Sequence, residues 1–508
     1  MRFLSWIKKV VNSRLFVLSI CFIIELLFII IPAIILTNSF WIIYISTVLN
    51  IFFVIYIVNK RKSQNFKLAW IVVLCVFPFV GFVLYLLFAD KRIPRKLIGY
   101  SEEIEENRNK YIKNQTYDVS KIKNANVRKQ FLYTSNYSSY PCFSGSKCTY
   151  FSSGALFFED FIKKLREAKH YIFIEFFIVK HGYMLTTLIE ELKKKTKEGV
   201  KVYMMMDDLG CLPYDSSSTI KELEAIGVTV ALFSKVTFPT IFKTSYRDHR
   251  KIIVIDNKYA YTGGVNLADE YIGRAFPFGE WKDSAVLFKG KVVSSYTLMF
   301  IQFFNFFSKI KLDPSEFIIK NKPVISNSLV LPFSDSPTDD DRTGKNVQLN
   351  MINSSEKYIF ICTPYLIIDD IFEDALTIKA KTGIRVCILV PGIPDKKAVF
   401  MATRSHYETL IKNGVEVYEY TPGFVHSKMI ISDDLIALEG SINLDFRSHY
   451  LQFESGVLIA NDRCLKDMKK DYLDTLKVSK RITMEDIKNV SFVTKVSRAI
   501  VNLFSPLF

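Results

Sequence analysis

Tyr171-Ile-Phe-Ile-Glu175-Phe-Phe177 returns later in the chain as Tyr358-Ile-Phe-Ile-Cys362-Thr-Pro-Tyr365. Further matching runs follow each copy. Gly199-Val-Lys-Val-Tyr-Met-Met-Met206 precedes Gly227-Val-Thr-Val230, and Gly383-Ile-Arg-Val-Cys-Ile-Leu-Val390 precedes Gly414-Val-Glu-Val417. Short, β-branched-rich runs led by glycine suit buried strands. Between them lie helix-like stretches such as Leu185 to Lys197 and Ser218 to Ala225. Strand and helix alternate, so the class is α/β around a largely central sheet. The period makes the body a duplication, one copy over 131–315 and the other over 316–490.

Each copy carries one polar signature. The first reads His249-Arg-Lys251-Ile-Ile-Val-Ile-Asp256, then Gly263-Gly264-Val-Asn266; the second reads His426-Ser-Lys428-Met-Ile-Ile-Ser-Asp433, then Gly440-Ser441-Ile-Asn443. The spacings match throughout, in a chain with only 6 histidines. His and Lys two apart on a strand project from one face. The aspartate falls on the opposite parity or in the turn beyond, where holding local structure suits it better than touching substrate. Glycine lets backbone approach a ligand closely, and asparagine adds an amide donor.

Faced together, the two copies offer two imidazoles, two ammoniums and two amides around one pocket. Cations and amides neutralise phosphoryl oxygens. One imidazole can attack phosphorus while the other protonates the leaving alcohol and then deprotonates the incoming one. This chemistry calls for neither metal nor cofactor. A lone HxK on a strand is usually a packing or surface feature; two copies with matched glycine and asparagine downstream reverse that reading.

The doubled motif is identified as the HxKxxxxD signature of the phospholipase D superfamily. Asp248 to Lys251, Gly263 to Tyr271 and Glu280-Trp-Lys-Asp283 resemble the first half of bacterial cardiolipin synthases. Thr363-Pro-Tyr365, Phe424-Val-His426-Ser-Lys428, Asn443 to Ser448 and Phe453-Glu454 resemble the second half, and the N-terminal Lys67-Leu-Ala-Trp70 with Pro78 and Gly81, and the closing Phe504-Ser-Pro-Leu507, are similar too. The resemblance implies a duplicated phospholipase D-type fold, two α/β sandwich repeats facing each other, preceded by transmembrane helices. It implies His249 as nucleophile and His426 as general acid and base. Lys251, Lys428, Asn266 and Asn443, with Gly264 and Ser441, are the phosphate-binding set, and Asp256 and Asp433 complete the catalytic signature. Asp283 and Glu454, each downstream of one motif, are expected to orient its histidine. The implied reaction joins two phosphatidylglycerols into cardiolipin and glycerol through a phosphatidyl-histidine. A hydrolytic phospholipase D, or a nuclease of the same superfamily, would use the same groups.

Composition favours the lipid. Of 508 residues 49% are hydrophobic, mean hydropathy is +0.17, and 67 Lys and Arg against 51 Asp and Glu give a formal charge of +16. That excess suits a polyanion, and the apolar surplus makes it anionic lipid rather than nucleic acid. Within a membrane-anchoring region over 1–96, apolar runs cover 15–37, 40–58 and 68–88, each near the ~20 residues that span a bilayer. They read as retained anchors of a multi-pass cell-membrane protein. Basic clusters precede the first run, separate the second from the third and follow the third. Only if the third dips in and returns, at Pro78 and Gly81, can all three clusters and the repeats be cytoplasmic.

A hydrophilic linker is expected over 97–130, and an amphipathic segment over 491–508 that could lie along the membrane or pack on the body. The 8 cysteines lack paired spacing and read as free thiols, Cys142 and Cys148 being the one pair that oxidation could join. Glu175 borders the pocket and could simply pair with a lysine; Glu25 lies within the first apolar run. His170, His181, His406 and His449 match no motif position.

Overall fold

The computed structural model describes residues 40–60, 62–89, 106–107, 109–112, 116–138, 140–235, 246–319, 324–338 and 341–507. They fall into two compact units, one of the described residues in 1–92 and 500–508, the other of those in 93–235 and 246–499.

In the first unit, helices α1 (Phe40–Asn59), α2 (Gln64–Val76) and α3 (Pro78–Phe88) pack together. The apolar run over 68–88 is therefore two helices. Pro78 lacks an N–H to continue α2 and pushes Phe77 out of helical geometry, to φ −129° and ψ 76°. Trp70 on α2 meets Tyr85 on α3 edge to face at 5.2 Å, and a Cβ on Gly81 would lie 2.9 Å from the carbonyl oxygen of Val73. These contacts, symmetric about Phe77, make α2 and α3 an antiparallel hairpin, and Gly81 permits its close approach. At about 1.5 Å per residue its arms are roughly 20 and 16 Å long, short of a bilayer's apolar core. The run over 40–58 coincides with α1; that over 15–37, with Glu25, lies outside the described residues. Among the described residues no helix is long and apolar enough to cross a membrane.

The second unit holds the duplication. Strands β1 (Ser146–Phe151), β2 (Tyr171–Phe176), β3 (Lys201–Asp207), β4 (Val228–Phe233), β5 (Ile252–Ile255), β6 (Tyr259–Gly263) and β7 (Ala285–Gly290) form a sheet of order β1-β7-β6-β5-β2-β3-β4. The second sheet is built from β8 (Leu329–Asp335), β9 (Tyr358–Cys362), β10 (Arg385–Pro391), β11 (Glu416–Tyr420), β12 (Met429–Ser432), β13 (Ile436–Gly440), β14 (Gln452–Ala460) and β15 (Ser479–Arg481). Its order is β8-β14-β13-β12-β9-β10-β11-β15. Adding seven to each strand of the first sheet gives the second, with β15 as an extra edge.

Alternating side chains share out three cores. Tyr171 and Phe173 on β2 join Tyr358 and Phe360 on β9 in one cluster common to both sheets. Their neighbours Ile172 and Ile174 enter the outer core of the first repeat, and Ile359 and Ile361 that of the second. Equivalent helices of the two repeats, α4 (Val293–Phe307) and α5 (Cys464–Lys477), contribute to the shared cluster. The expected linker is helical from Ala125 onward, and Val127 and Phe131 pack into the second repeat's outer core. There Gln130 donates to the carbonyl of Val347.

All described cysteines are free thiols. Cys148 lies beside Cys464 and Asp462, with donor atoms within 4.8 Å of one another, rather than beside Cys142. Asp462 is occupied there, accepting from the Cys464 N–H at the start of α5.

Candidate active site

Each HxK triplet leads into the strand before a hairpin: Lys251 precedes β5 and Lys428 precedes β12. The hairpin turns place Asp256-Asn257 and Asp433-Asp434 at positive φ, between 51° and 60°, residue types that tolerate it. Asp256 and Asp433 do not reach the pocket. Asp256 accepts from the backbone N–H groups of Lys169, His170 and Tyr171 at 2.7–2.8 Å. Asp433 does the same for Glu356, Lys357 and Tyr358 at 2.8–2.9 Å. A four-residue strand separates each aspartate from its lysine. These two clamp the hairpin to the start of β2 or β9, the kind of local role that strand parity favoured over contact with substrate.

The histidines meet across the repeat boundary. Arg247–Asp248 pairs with Gln452–Phe453, and Gly423–Val425 with Glu280–Lys282, both parallel. The His249 N–H donates to the Phe453 carbonyl at 2.9 Å and that of His426 to Lys282 at 2.7 Å. One residue beyond each acceptor stands a carboxylate. His249 Nδ1 lies 3.0 and 3.1 Å from the two oxygens of Glu454, and His426 Nδ1 lies 2.7 Å from Asp283. Each motif's carboxylate thus serves the other motif's histidine, not its own as expected. Parallel ladders of two and three residues dictate the exchange by carrying each carboxylate to the opposite repeat.

A carboxylate on Nδ1 assigns that nitrogen the proton and leaves Nε2 for chemistry. Both lysines fold back over the histidines. Lys251 donates to the His249 carbonyl, and Lys428 to that of His426, with the Lys428 ammonium 2.9 Å from His426 Nδ1. Aromatic rings wall the site: Phe177 stands 5.1 Å from the His249 ring, and Tyr271 and Trp281 stand 5.4 and 5.6 Å from His426.

Burial dominates the electrostatics. It presses Lys251 down to about 7 and Lys428 to about 8, Glu454 and Asp283 respectively resisting. Burial, then the two lysines and Arg447, hold His249 well below its ordinary value; burial and Lys428 bring His426 to about 3. The two carboxylates diverge. Burial lifts Glu454 to about 7 against Lys251 and the hydroxyls of Ser441 and Ser448. On Asp283 burial pushes upward too, but His426, Lys428 and the Ser284 N–H outweigh it and keep the carboxyl below its ordinary value.

The family described as "Cardiolipin synthase, PLD-like domain" matches residues 161–276 and 349–475, and "Phospholipase_D-nuclease N-terminal" matches 48–89. The chain is 33% identical to a cardiolipin synthase of Alkalihalophilus pseudofirmus, over 92% of this chain and 93% of that protein. It is 31% identical to one of Clostridium perfringens strain SM101, over 88% and 95%, and 38% identical to an uncharacterised protein of Streptococcus mutans, over 89% and 98%. The chain belongs to the phospholipase D-like cardiolipin synthase family. Among solved structures, a phosphatidylserine synthase of Haemophilus influenzae shares the fold, with TM-score 0.57, 15% identity, and coverage of 75% of this chain and 100% of that one.

Within this cardiolipin synthase fold the remaining predicted residues divide. Gly264 is required by Asp283, whose carboxylate oxygen would lie 2.1 Å from a Cβ there. Ser441, its counterpart, instead reaches Glu454 with its hydroxyl. Asn266 spends its amide locally, accepting from the Ile178 N–H at 3.1 Å and donating to the Tyr271 hydroxyl at 2.7 Å. It thereby fixes the ring beside His426. The side-chain oxygen of Asn443 is buried without a hydrogen bond.

Glu175 pairs with Arg250, 2.7 Å away, rather than with a lysine. Three of the other histidines have structural partners: His181 on Thr219, His406 on Glu373 and His449 on Gln348. Sequence reasoning passed over Ser448, Phe177 and Arg250 as parts of the site. Arg250 alternates with His249 and Lys251 and so points away from them, which the strand period could have flagged.

Proposed function

We propose that the chain joins two phosphatidylglycerols into cardiolipin and glycerol, with His249 as nucleophile and His426 as general acid and base. The observation carrying this reading is the pair of imidazoles held at Nδ1 by carboxylates, with two lysines beside them. In the first half, His249 Nε2 attacks phosphorus. The bond to the glycerol head-group oxygen breaks, and that oxygen takes a proton from His426. In the second half, the terminal hydroxyl of another phosphatidylglycerol gives its proton to His426 and attacks the phosphatidyl-histidine. Cardiolipin leaves and His249 is restored.

Roles follow from the carboxylates. An imidazolium is best stabilised beside an ionised partner, as an aspartate stabilises it in hydrolase triads, and Asp283 on His426 is the ionised one. An entering phosphodiester brings the negative charge that raises the depressed pKa values of His426 and both lysines. Lys251 and Lys428 then neutralise the phosphoryl oxygens.

We place the first unit in the cell membrane and the repeats on its cytoplasmic face. Ile45, Leu49 and Phe52 on α1 are 55–70% exposed to their surroundings, as a lipid-facing helix requires. The short α2–α3 hairpin suits a re-entrant element returning to the side it left. Tags that put residues 60 and 96 on opposite faces would overturn this topology.

The reaction is tested with membranes containing the protein and phosphatidylglycerol labelled in its head group and acyl chains. Acyl-labelled cardiolipin and free labelled glycerol from wild type, and neither from His249→Ala, are expected. Phosphatidic acid in place of cardiolipin would make the enzyme a hydrolase.

A further inference from the structure

The helix α6 (Phe492–Phe504) is built inside out for a soluble protein. Phe492, Val496 and Ile500 follow one another at four-residue intervals with Val493 beside them, so they share one face. That face is bare: Phe492 is 80% exposed, Val493 73%, Val496 40% and Ile500 53%. Over 492–499 the half-buried positions are polar, Thr494, Ser497 and Arg498, while the apolar half-buried ones, Val501, Leu503 and Phe504, lie in the last turn. Arg498 turns toward Glu419 and Tyr407, with its Nε buried. A helix that merely packed on the catalytic body would have these faces exchanged.

We infer that α6 lies in the interface of an anionic bilayer, its Phe492–Val496–Ile500 face sunk among acyl chains beside the catalytic repeats. Two observations choose a membrane over another occupant. From Ser491 to Phe508 there is no acid, and Lys495, the charged residue not turned to the body, is exposed, the complement of an anionic surface. After α6 the chain does not leave that setting, because Leu507 packs on the cluster of Ile57, Trp70 and Tyr85 in the first unit. The helix is thereby tied at its end to the apolar hairpin. Such a surface helix would fix the height of the repeats above the lipid from which their substrate comes. The inference stands apart from the chemistry, since any lipid-tethered enzyme could use it.

The full-length protein carrying Val496→Trp, reconstituted in phosphatidylglycerol-containing vesicles, tests this with lipids brominated on their acyl chains. The added tryptophan's fluorescence, taken as the difference from the parent, is expected to fall by about half. Emission indifferent to bromine would overturn the inference. So would quenching that appears only as protein density rises, since a second copy would then cover the face. Phe492→Asp/Ile500→Asp supplies an independent check. Its turnover in detergent micelles is expected to equal the parent's, while in vesicles it falls severalfold. Equal activity in both settings would count against the inference.

Discussion

His249 takes its orienting carboxylate from the other repeat: its Nδ1 lies 3.0 Å from Glu454, 205 residues away in sequence. With His426 on Asp283 at 2.7 Å, neither repeat holds a complete site. The exchange makes a specific prediction about which variants resemble each other. With a phosphatidyl donor bearing p-nitrophenolate, the leaving group needs no acid. His426→Ala should then still release a burst of one nitrophenolate per enzyme, and His249→Ala none. Asp283→Asn is expected to follow His426→Ala, bursting and then stalling, with turnover down by about 10³–10⁴ as for a carboxylate that fixes a catalytic imidazole. Glu454→Gln should instead lose the burst rate. The reverse grouping would show that each carboxylate acts on its own motif.

Asp256 and Asp433 belong to the signature but serve the fold. Each accepts three backbone N–H bonds, and Asp256→Ala or Asp433→Ala strands those donors. Either change is expected to lower stability by about 2–4 kcal/mol, read by thermal unfolding. The folded fraction should keep kcat within a fewfold of wild type. A normal melting temperature with activity abolished would return these residues to the chemistry.

Much of this arrangement could be read from the chain. The repeated Tyr-Ile-Phe-Ile runs became β2 and β9, equivalent strands of two sheets with one order, because buried-strand patterns survive duplication as side-chain alternation. The histidines and lysines followed from spacing alone. Partnership did not. Which repeat feeds Asp283 or Glu454 to which histidine depends on the ladders at 247–248 and 280–282, two and three residues long, too short to carry a pattern. The split of 68–88 was half legible: Pro78 marked the break, whereas Gly81, also suspected, lies inside α3 and serves the packing of α2 on α3. The helix from Ala125 was hidden by its polarity, since its buried face mixes Val127 and Phe131 with Gln130 and Thr134.

Arg250 illustrates a group invisible in the motif but buried beneath it. Its guanidinium is fully buried, 2.7 Å from Glu175 and 3.3 Å from Asp248, and lies 3.8 Å over the ring of Phe303. Burial raises the pKa of both carboxyls against its pull. Arg250→Met leaves them without their cation and is expected to cost about 3–5 kcal/mol of stability. Adding Glu175→Leu should recover a good part of that, since the unpaired acid goes with it. Both are measured by denaturant unfolding in detergent. A double variant no better than the single would mean the arginine acts through Phe303 instead.

The lysines set the pH dependence. Lys251 at about 7 and Lys428 at about 8 are depressed by burial, so the free enzyme sheds their charge just above neutrality. The phosphodiester needs that charge, whereas His249, held far below its ordinary value, stays neutral across the same range. Because kcat/KM reports ionisations of the free enzyme, it should fall more steeply as pH rises through 7–8, where the lysine charges are lost on top of the His426 proton. The unfolded chain keeps its lysines protonated to about 10.4, so from pH 7 upward it binds more protons than the folded one. Their contribution to stability therefore rises with pH over the window in which activity falls. Parallel kcat/KM and unfolding measurements between pH 6 and 9.5 check both limbs. If kcat/KM fell no more steeply up to pH 9, the ammonium groups would be retained and the phosphate would need another explanation for its binding.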